Sequence, residues 1–381
     1  MAAFATFAIG FLFRPLGSVV FGHFGDKLGR KAMLVLTLLL MGTASTLIGV
    51  LPTYGSAGIA APVLLVVLRA VQGFAVGGEW GGAALMAVEH APDGKKGLYG
   101  SWVQVGASGG LLLASGLYSL SAALTTPEQF MAWGWRIPFL ASAVVVAIGF
   151  VVRSKVEETP VFEEARCRGD EPKMPLLAAI RDNPRGFVLI FLMRLAELVS
   201  FYVVTTFALS YATTHLGVAE SVMLTGNTLV AALGIVVIPL AAALSDRIGR
   251  RRVFLGGAAA GVVLSVPLFW GMQSAVPALI WLAAIGVINL CHDPVVSVQQ
   301  PLFTEMFGAR FRYSGAGVGY QVAGALGGGF TPLVAGVLVN ASGGGWTLVA
   351  LFLALSCGAS LVAGLMMAKD APAREPVVSA A

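Results

Sequence analysis

Gly22-His-Phe-Gly25-Asp26-Lys27-Leu-Gly29-Arg30-Lys31 returns 220 positions later as Ala242-Ala-Leu-Ser245-Asp246-Arg247-Ile-Gly249-Arg250-Arg251. Two copies of an Asp-basic-x-Gly-Arg-basic cluster at a fixed offset mark an internal repeat rather than a polar loop met twice. In each copy the glycine permits a tight turn. The basic cluster fixes the loop to an anionic membrane face, and the aspartate can pair with that cluster or cap a neighbouring helix. The register continues outward: Glu89 and Glu305 end corresponding helices at an offset of 216, and Gln104 and Gln321 stand early in the next helices at 217. The chain therefore reads as two homologous, parallel halves.

What lies between the copies is apolar. Of 381 residues, 57% are hydrophobic and 11% charged, a balance outside the range of soluble globular domains. Forty-eight glycines would weaken soluble helices, but small residues let membrane helices approach closely. Cys167, Cys291 and Cys357 show no CxxC spacing, so neither a metal site nor a disulfide framework is indicated.

Eleven transmembrane helices are predicted, over 2–23, 32–51, 62–87, 98–120, 134–152, 186–211, 221–244, 253–271, 276–302, 314–339 and 345–368. Alternate connections carry 20 of the 24 basic residues, whereas 52–61, 121–133, 212–220, 272–275 and 340–344 carry none. The positive-inside rule then makes the basic connections and the C-terminus cytoplasmic. The expected organisation is a first bundle over 1–152, a cytoplasmic linker over 153–185, a six-helix bundle over 186–368 and a tail over 369–381. A full helix precedes the span leading into Asp246, and nothing equivalent precedes the span leading into Asp26. The expectation is a six-plus-six arrangement whose first helix lies upstream of Met1.

The spans contain few ionisable residues: Arg14, Arg69, Glu79, Arg194, Glu197, Asp293 and the neighbouring His292. Each costs about 2.5–3.5 kcal/mol at mid-bilayer on insertion scales, so each reads as function or mutual pairing. Arg69, Gln72 and Glu79 fall near one helix face. Arg194 and Glu197, three apart, can satisfy each other. His292 and Asp293 are natural proton carriers, with Gln299 and Gln300 extending their two stripes. Arg14, beside Pro15, either faces an acid or stabilises a kink.

Gly106-Ala-Ser108-Gly-Gly110 fits the G-x-S-x-G pattern of hydrolases, but no strand precedes it and it lies inside an apolar, glycine-rich span, so it reads as a helix-packing surface. Gly315–Gly319 and Gly327–Gly329 read as packing or bending surfaces rather than dinucleotide loops, since no βαβ unit surrounds them. No cofactor, metal or nucleic-acid site is indicated, and no set of nucleophile, base and orienting group indicates an enzyme.

The two aspartate loops resemble the signature loop of the major facilitator superfamily. Arg69-Ala-Val-Gln72-Gly73-Phe-Ala-Val-Gly77-Gly78-Glu79-Trp80-Gly81-Gly82, with Glu89, Gly100-Ser101-Trp102 and Trp133-Gly134-Trp135-Arg136-Ile137-Pro138-Phe139, is similar to its metabolite:proton symporter family. Arg194-Leu-Ala-Glu197-Leu, His292-Asp293 and Gln299-Gln300-Pro301 add to that resemblance.

The resemblance implies an all-α polytopic membrane protein with the major facilitator fold of two six-helix repeats, monomeric in the inner membrane. It implies a proton-coupled importer of a small organic anion, shikimate or dehydroshikimate. Dicarboxylates such as 2-oxoglutarate or citrate, betaine-like osmolytes, or a transport-inactive truncated product are the alternatives. On this expectation Arg69 or Arg194 holds the carboxylate through its planar fork. Gln72, Gln104, Asn289 and Gln321 hold hydroxyls, and Glu79, Glu197, His292 and Asp293 form the proton path. The family's loops serve as conformational latches, here Gly25, Asp26, Gly29 and Arg30 with Asp246, Arg247, Gly249 and Arg250.

Overall fold

The computed structural model describes residues 2–155, 157–158, 180–307 and 312–367. The greater part of the segment expected to link the halves, at 156 and 159–179, lies outside these, as do Cys167, 308–311 and the expected tail. The described residues are almost entirely helical. The long helices are α1 (Ala2–Leu28), α2 (Arg30–Gly49), α3 (Ala60–Glu89), α4 (Lys96–Leu124) and α5 (Gly134–Lys155) in the first half. The second half has α6 (Pro184–His215), α7 (Glu220–Ile248), α8 (Arg250–Gln273), α9 (Pro277–Glu305), α10 and α11 (Thr347–Met366). Helix α10 is built from Arg312–Ala323, a π turn at Gly324–Gly328, and Thr331–Ala341. Ten of these helices are long and apolar enough to cross a membrane, and the 27-residue α1 is packed among them. They coincide with the eleven expected spans, most overrunning them by several residues.

The overrun shrinks the repeated loops. Asp26 and Lys27 belong to the last turn of α1, Arg247 to that of α7, and the only breaks are Gly29 and Gly249. These two glycines have φ of 105° and 100°, a region that other residues enter only with strain. A one-residue turn of this shape lets helix follow helix, so the basic clusters become the first turns of α2 and α8. Repetition extends to side chains: Arg30 pairs with Glu89 at 3.7 Å, and Arg250 pairs with Glu305 at 2.6 Å. In each half that pair ties the start of one helix to the end of the next.

Within the first half, glycines set the spacing of α1 and α3. A methyl group at Gly73 would sit 1.9 Å from the Gly10 carbonyl oxygen, and one at Gly77 would sit 2.0 Å from that of Arg14. Backbones can approach this closely only where a side chain is missing. In α10, Gly315 lies against Phe307 and Gly319 against Ile190, which bears out close packing there. The packing expected at Gly106, Gly109 and Gly110 is absent: they lie within α4 with no neighbour within 4 Å of an added Cβ, so that motif is plain helix on an open flank.

Near the face carrying the Gly29 and Gly249 turns the two halves are joined by hydrogen bonds. Asp246, ending α7, accepts hydrogen bonds from the backbone N–H groups of Gly97 at 2.8 Å and Leu98 at 2.9 Å, in the first turn of α4. A carboxylate there also meets the positive end of the helix dipole. Across the pseudo-symmetric junction, Tyr313 of α10 is buried in a socket of glycines. Its ring would touch a Cβ at Gly25, and its hydroxyl donates to the Gly78 carbonyl oxygen at 2.6 Å. Asp26 is buried near this ring.

Hydrogen bonds to charged acceptors contribute about 1.5–3 kcal/mol each, so loss of the Asp246 clasp is predicted to open this face. Gln300, fully buried beside Gly100, provides the probe. A thiol introduced as Gln300→Cys should react with a membrane-impermeant reagent at least about tenfold faster when Asp246→Ala is added. Equal rates would remove the clasp's role.

Candidate functional site

A cavity of about 330 Å³ lies between the halves, lined by Phe11 and Arg14 of α1, Val76 and Trp80 of α3, Gln104 and Ser108 of α4, and residues of α6, α7, α9 and α10. That volume falls at the lower end of the roughly 300–1,000 Å³ found for small-molecule sites. One wall is an aromatic stack across the interface: the Trp80 and Tyr320 rings are 3.6 Å apart and 9° from parallel. The Arg194 guanidinium lies 3.3 Å from the Tyr320 centroid. Two groups so near one ring must take opposite faces, so Tyr320 is sandwiched between Trp80 and Arg194, an electrostatically favourable place for a cation.

Arg194 and Glu197 form a fork-to-fork pair, Nε to Oε2 at 2.9 Å and Nη2 to Oε1 at 2.8 Å. The remaining guanidinium nitrogen donates to the Tyr320 carbonyl oxygen. The pairing anticipated from their spacing is therefore present, and it takes place within the cavity wall. On the facing helix, Asp293 accepts from Asn289 Nδ2 at 2.6 Å and lies 2.9 Å from His292 Nδ1. Asn289 also reaches the Val230 carbonyl oxygen, so it supports the carboxylate and does not itself line the cavity. The His292 ring leans on Phe201 at 5.3 Å.

Helix irregularity aims these groups. Val203–Phe207 in α6, Ile288–His292 in α9 and Gly324–Gly328 in α10 are π turns, and all three contribute lining residues. An extra residue in a helical turn rotates everything beyond it and gathers at functional sites. Helix α9 is interrupted again at Val298, so Gln299 and Gln300 do not extend the His292 and Asp293 stripes into the cavity; both are buried outside its lining.

The other anticipated residues separate. Gln104 and Gln321 line the cavity; Gln104 approaches the Tyr320 hydroxyl at 3.5 Å, and Gln321 donates to the Val76 carbonyl oxygen at 3.2 Å. Arg69 donates to Gln72 at 3.2 Å, and Gln72 to Ser45 at 2.6 Å, in a neighbouring cavity of about 230 Å³ within the first half. Glu79, on the same helix as Arg69, points away from both cavities to pair with Arg153, which also donates to the Leu34 carbonyl oxygen at 2.6 Å. Its partner comes from the first residue expected of the linker, which the structure places in α5.

Arg14, Trp80, Tyr202, Ser108 and Tyr320 line the central cavity without having been assigned to the site. Arg14 is shared with the neighbouring cavity, together with Phe11 and Val76. The sequence signals for the aromatic members were weak, because an aromatic residue in an apolar helix is ordinary until its partner across the interface is known.

The Major Facilitator Superfamily pattern matches residues 1–320 and 190–381. The chain is 50% identical over 371 residues to the shikimate transporter of Escherichia coli K12, covering 96% of this chain and 84% of that protein. It is 40% identical over 375 residues to the inner membrane metabolite transport protein YhjE of the same organism, covering 96% and 84%. A solved structure of the proton:xylose symporter XylE, bound to 6-bromo-6-deoxy-D-glucose, superposes with a TM-score of 0.75 at 16% identity, covering 95% of this chain and 85% of that one.

Stranding one partner of a buried pair costs about 3–5 kcal/mol. Arg194→Gln and Glu197→Gln are each predicted to lower the melting temperature of the detergent-purified protein, and the double replacement to lower it by less than the sum. Additive losses would show that the pair is not coupled.

Proposed function

The chain belongs to the major facilitator superfamily, in the branch that includes the E. coli shikimate transporter, and from that premise we propose that it imports shikimate or dehydroshikimate together with a proton. The observation that carries the proposal is the set of guanidinium, imidazole and carboxylate groups gathered in one cavity between the halves. Buried charges in a membrane protein mark an ion or substrate path, and the midplane between repeats is where such transporters bind.

In this reading the cargo's carboxylate meets a guanidinium, and Gln104, Gln321 and Ser108 are close enough to the same space to take its hydroxyls. Glu197, His292 and Asp293 supply the proton site, Asp293 being held by Asn289 and His292. Arg69 and Gln72, in the adjoining cavity, take a supporting part. The proton offsets the charge of an anion moving against an inside-negative potential.

The distribution of basic loops makes the Gly29 and Gly249 face cytoplasmic, together with the C-terminus. The clasp at that face then corresponds to the outward-facing state. The aspartate loops of Asp26 and Asp246 act as latches that break when the cavity turns inward. We read the protein as a monomer in the bacterial inner membrane, since residues from both halves of one chain line the cavity and form the clasp.

Vesicles containing the protein should accumulate labelled shikimate under an acid-outside gradient, and the uptake should vanish when the gradient is collapsed. Dicarboxylate or betaine competing more strongly than dehydroshikimate would reassign the cargo. Asp293→Asn should abolish accumulation while leaving exchange of labelled for unlabelled shikimate; unchanged accumulation would remove Asp293 from the proton path.

A further inference from the structure

Among the cavity's charged groups, Arg14 is the one whose surroundings do not satisfy it. Arg194 has a bidentate carboxylate and a carbonyl oxygen, and Asp293 has an amide and an imidazole. Arg14 has no ion pair among the described residues. Its Nε is buried without a hydrogen-bond partner, and the guanidinium lies over the Phe11 ring at 3.8 Å. A cation–π contact offsets part of the cost of burying a guanidinium but leaves its donors unused.

Position adds a second argument. Arg14 lines both the central cavity and the smaller one containing Arg69 and Gln72, so a ligand in either reaches it. Its main chain is held at the close crossing with Gly77. The guanidinium thus lines both spaces from a backbone held at that crossing.

Charge balance gives the third. Arg14 and Arg194 together cancel Glu197 and Asp293, so the cavity is neutral when His292 is neutral. A bound carboxylate leaves it with one negative charge in a poorly screened space. The groups facing His292 are Asp293 on its own helix, Glu197, Arg194 and Tyr202 on α6, Tyr320 on α10 and Arg14 on α1. Protonating Glu197 would break the fork to Arg194. Adding the proton to the His292–Asp293 pair breaks no such pairing.

We infer that Arg14 is the anchor for the cargo's carboxylate, and that its occupancy draws one proton onto the His292–Asp293 pair. This rests on reading the cavity as that of an anion–proton symporter. The order of events follows: an anion takes Arg14, Arg14 ceases to offset Asp293, and the pair accepts a proton. Coupling is one proton per carboxylate, and the loaded cavity returns to neutrality before it turns inward.

The test is binding to the purified full-length chain in lipid nanodiscs, read by tryptophan fluorescence, with shikimate and its uncharged methyl ester as probes between about pH 6 and 8. Wild-type protein should bind the anion at least about tenfold more tightly than the ester. Its affinity for the anion should rise up to tenfold per unit fall in pH, as uptake of one proton requires, and ester affinity should stay flat. Arg14→Gln should abolish the preference for the anion and flatten its pH dependence, with ester binding unchanged as proof of a folded cavity. Arg14→Lys should retain an intermediate preference. Asp293→Asn should keep the preference and lose the pH dependence. An Arg14→Gln protein that still prefers the anion tenfold overturns the anchor, and an Asp293→Asn protein with a wild-type pH dependence overturns the proton assignment. Wild-type protein that binds neither probe overturns the symporter reading, and the inference with it.

Discussion

A charge inside a hydrocarbon slab has to be matched by another charge, by polar groups or by a ligand, and this requirement organises the described helices. Arg30 with Glu89 and Glu79 with Arg153 each join two helices that apolar packing alone would leave free to slide, while Arg194 with Glu197 and His292 with Asp293 are matched within one helix. Apolar packing has little power to choose register in lipid, because lipid tails are as apolar as leucine. Glycine contacts and matched charges supply what the hydrophobic effect supplies in water. The same rule separates structural from functional charges: those matched away from the cavity hold the bundle, and those at its wall remain in reach of a ligand.

The repeat is legible in sequence because its chemistry is local. An aspartate, a glycine and three bases within six residues keep their meaning wherever the chain goes, and positive φ at Gly29 and Gly249 is what that glycine was read to provide. Spans are legible because length and apolarity are sufficient evidence for them. The site was only partly legible. Arg194 with Glu197 and His292 with Asp293 were found since each pair is close along one helix. Glu79 was drawn toward the site by helical periodicity from Arg69 and Gln72. Its partner Arg153 stands 74 residues away, in a stretch that reads as a charged linker.

Other features escaped because they exist only across the interface. Trp80 and Tyr320 come from opposite halves, and neither betrays in sequence that it will stack on the other. Tyr313 reads as one more aromatic near a helix start until Gly25, Gly78, Gly81 and Gly82 close around it. Three π turns rotate the side chains beyond them, so a strict period of 3.6 misplaces Gln299 and Gln300. Arg14 was visible as an embedded base, but choosing between an acid partner and a kink needed the knowledge that no acid among the described residues pairs with it.

The clasp at the basic-loop face is strong enough to define a state and weak enough to be abandoned. Its parts are two hydrogen bonds to the Asp246 carboxylate and one from the Tyr313 phenol to a helix carbonyl, and these contribute together about 4–7 kcal/mol. Reversing a two-state equilibrium from 1:99 to 99:1 takes about 5.5 kcal/mol of differential affinity. The two quantities are of the same size. A deeper interlock, such as a second buried pair of the Arg194–Glu197 kind spanning the halves, would hold the cavity in one orientation regardless of its contents. Among the described contacts, what joins the halves at the clasp is instead one side chain on backbone from each of two pseudo-symmetric junctions. Asp246 needs only water to replace Gly97 and Leu98, and it ends a helix at the membrane surface, where water is at hand.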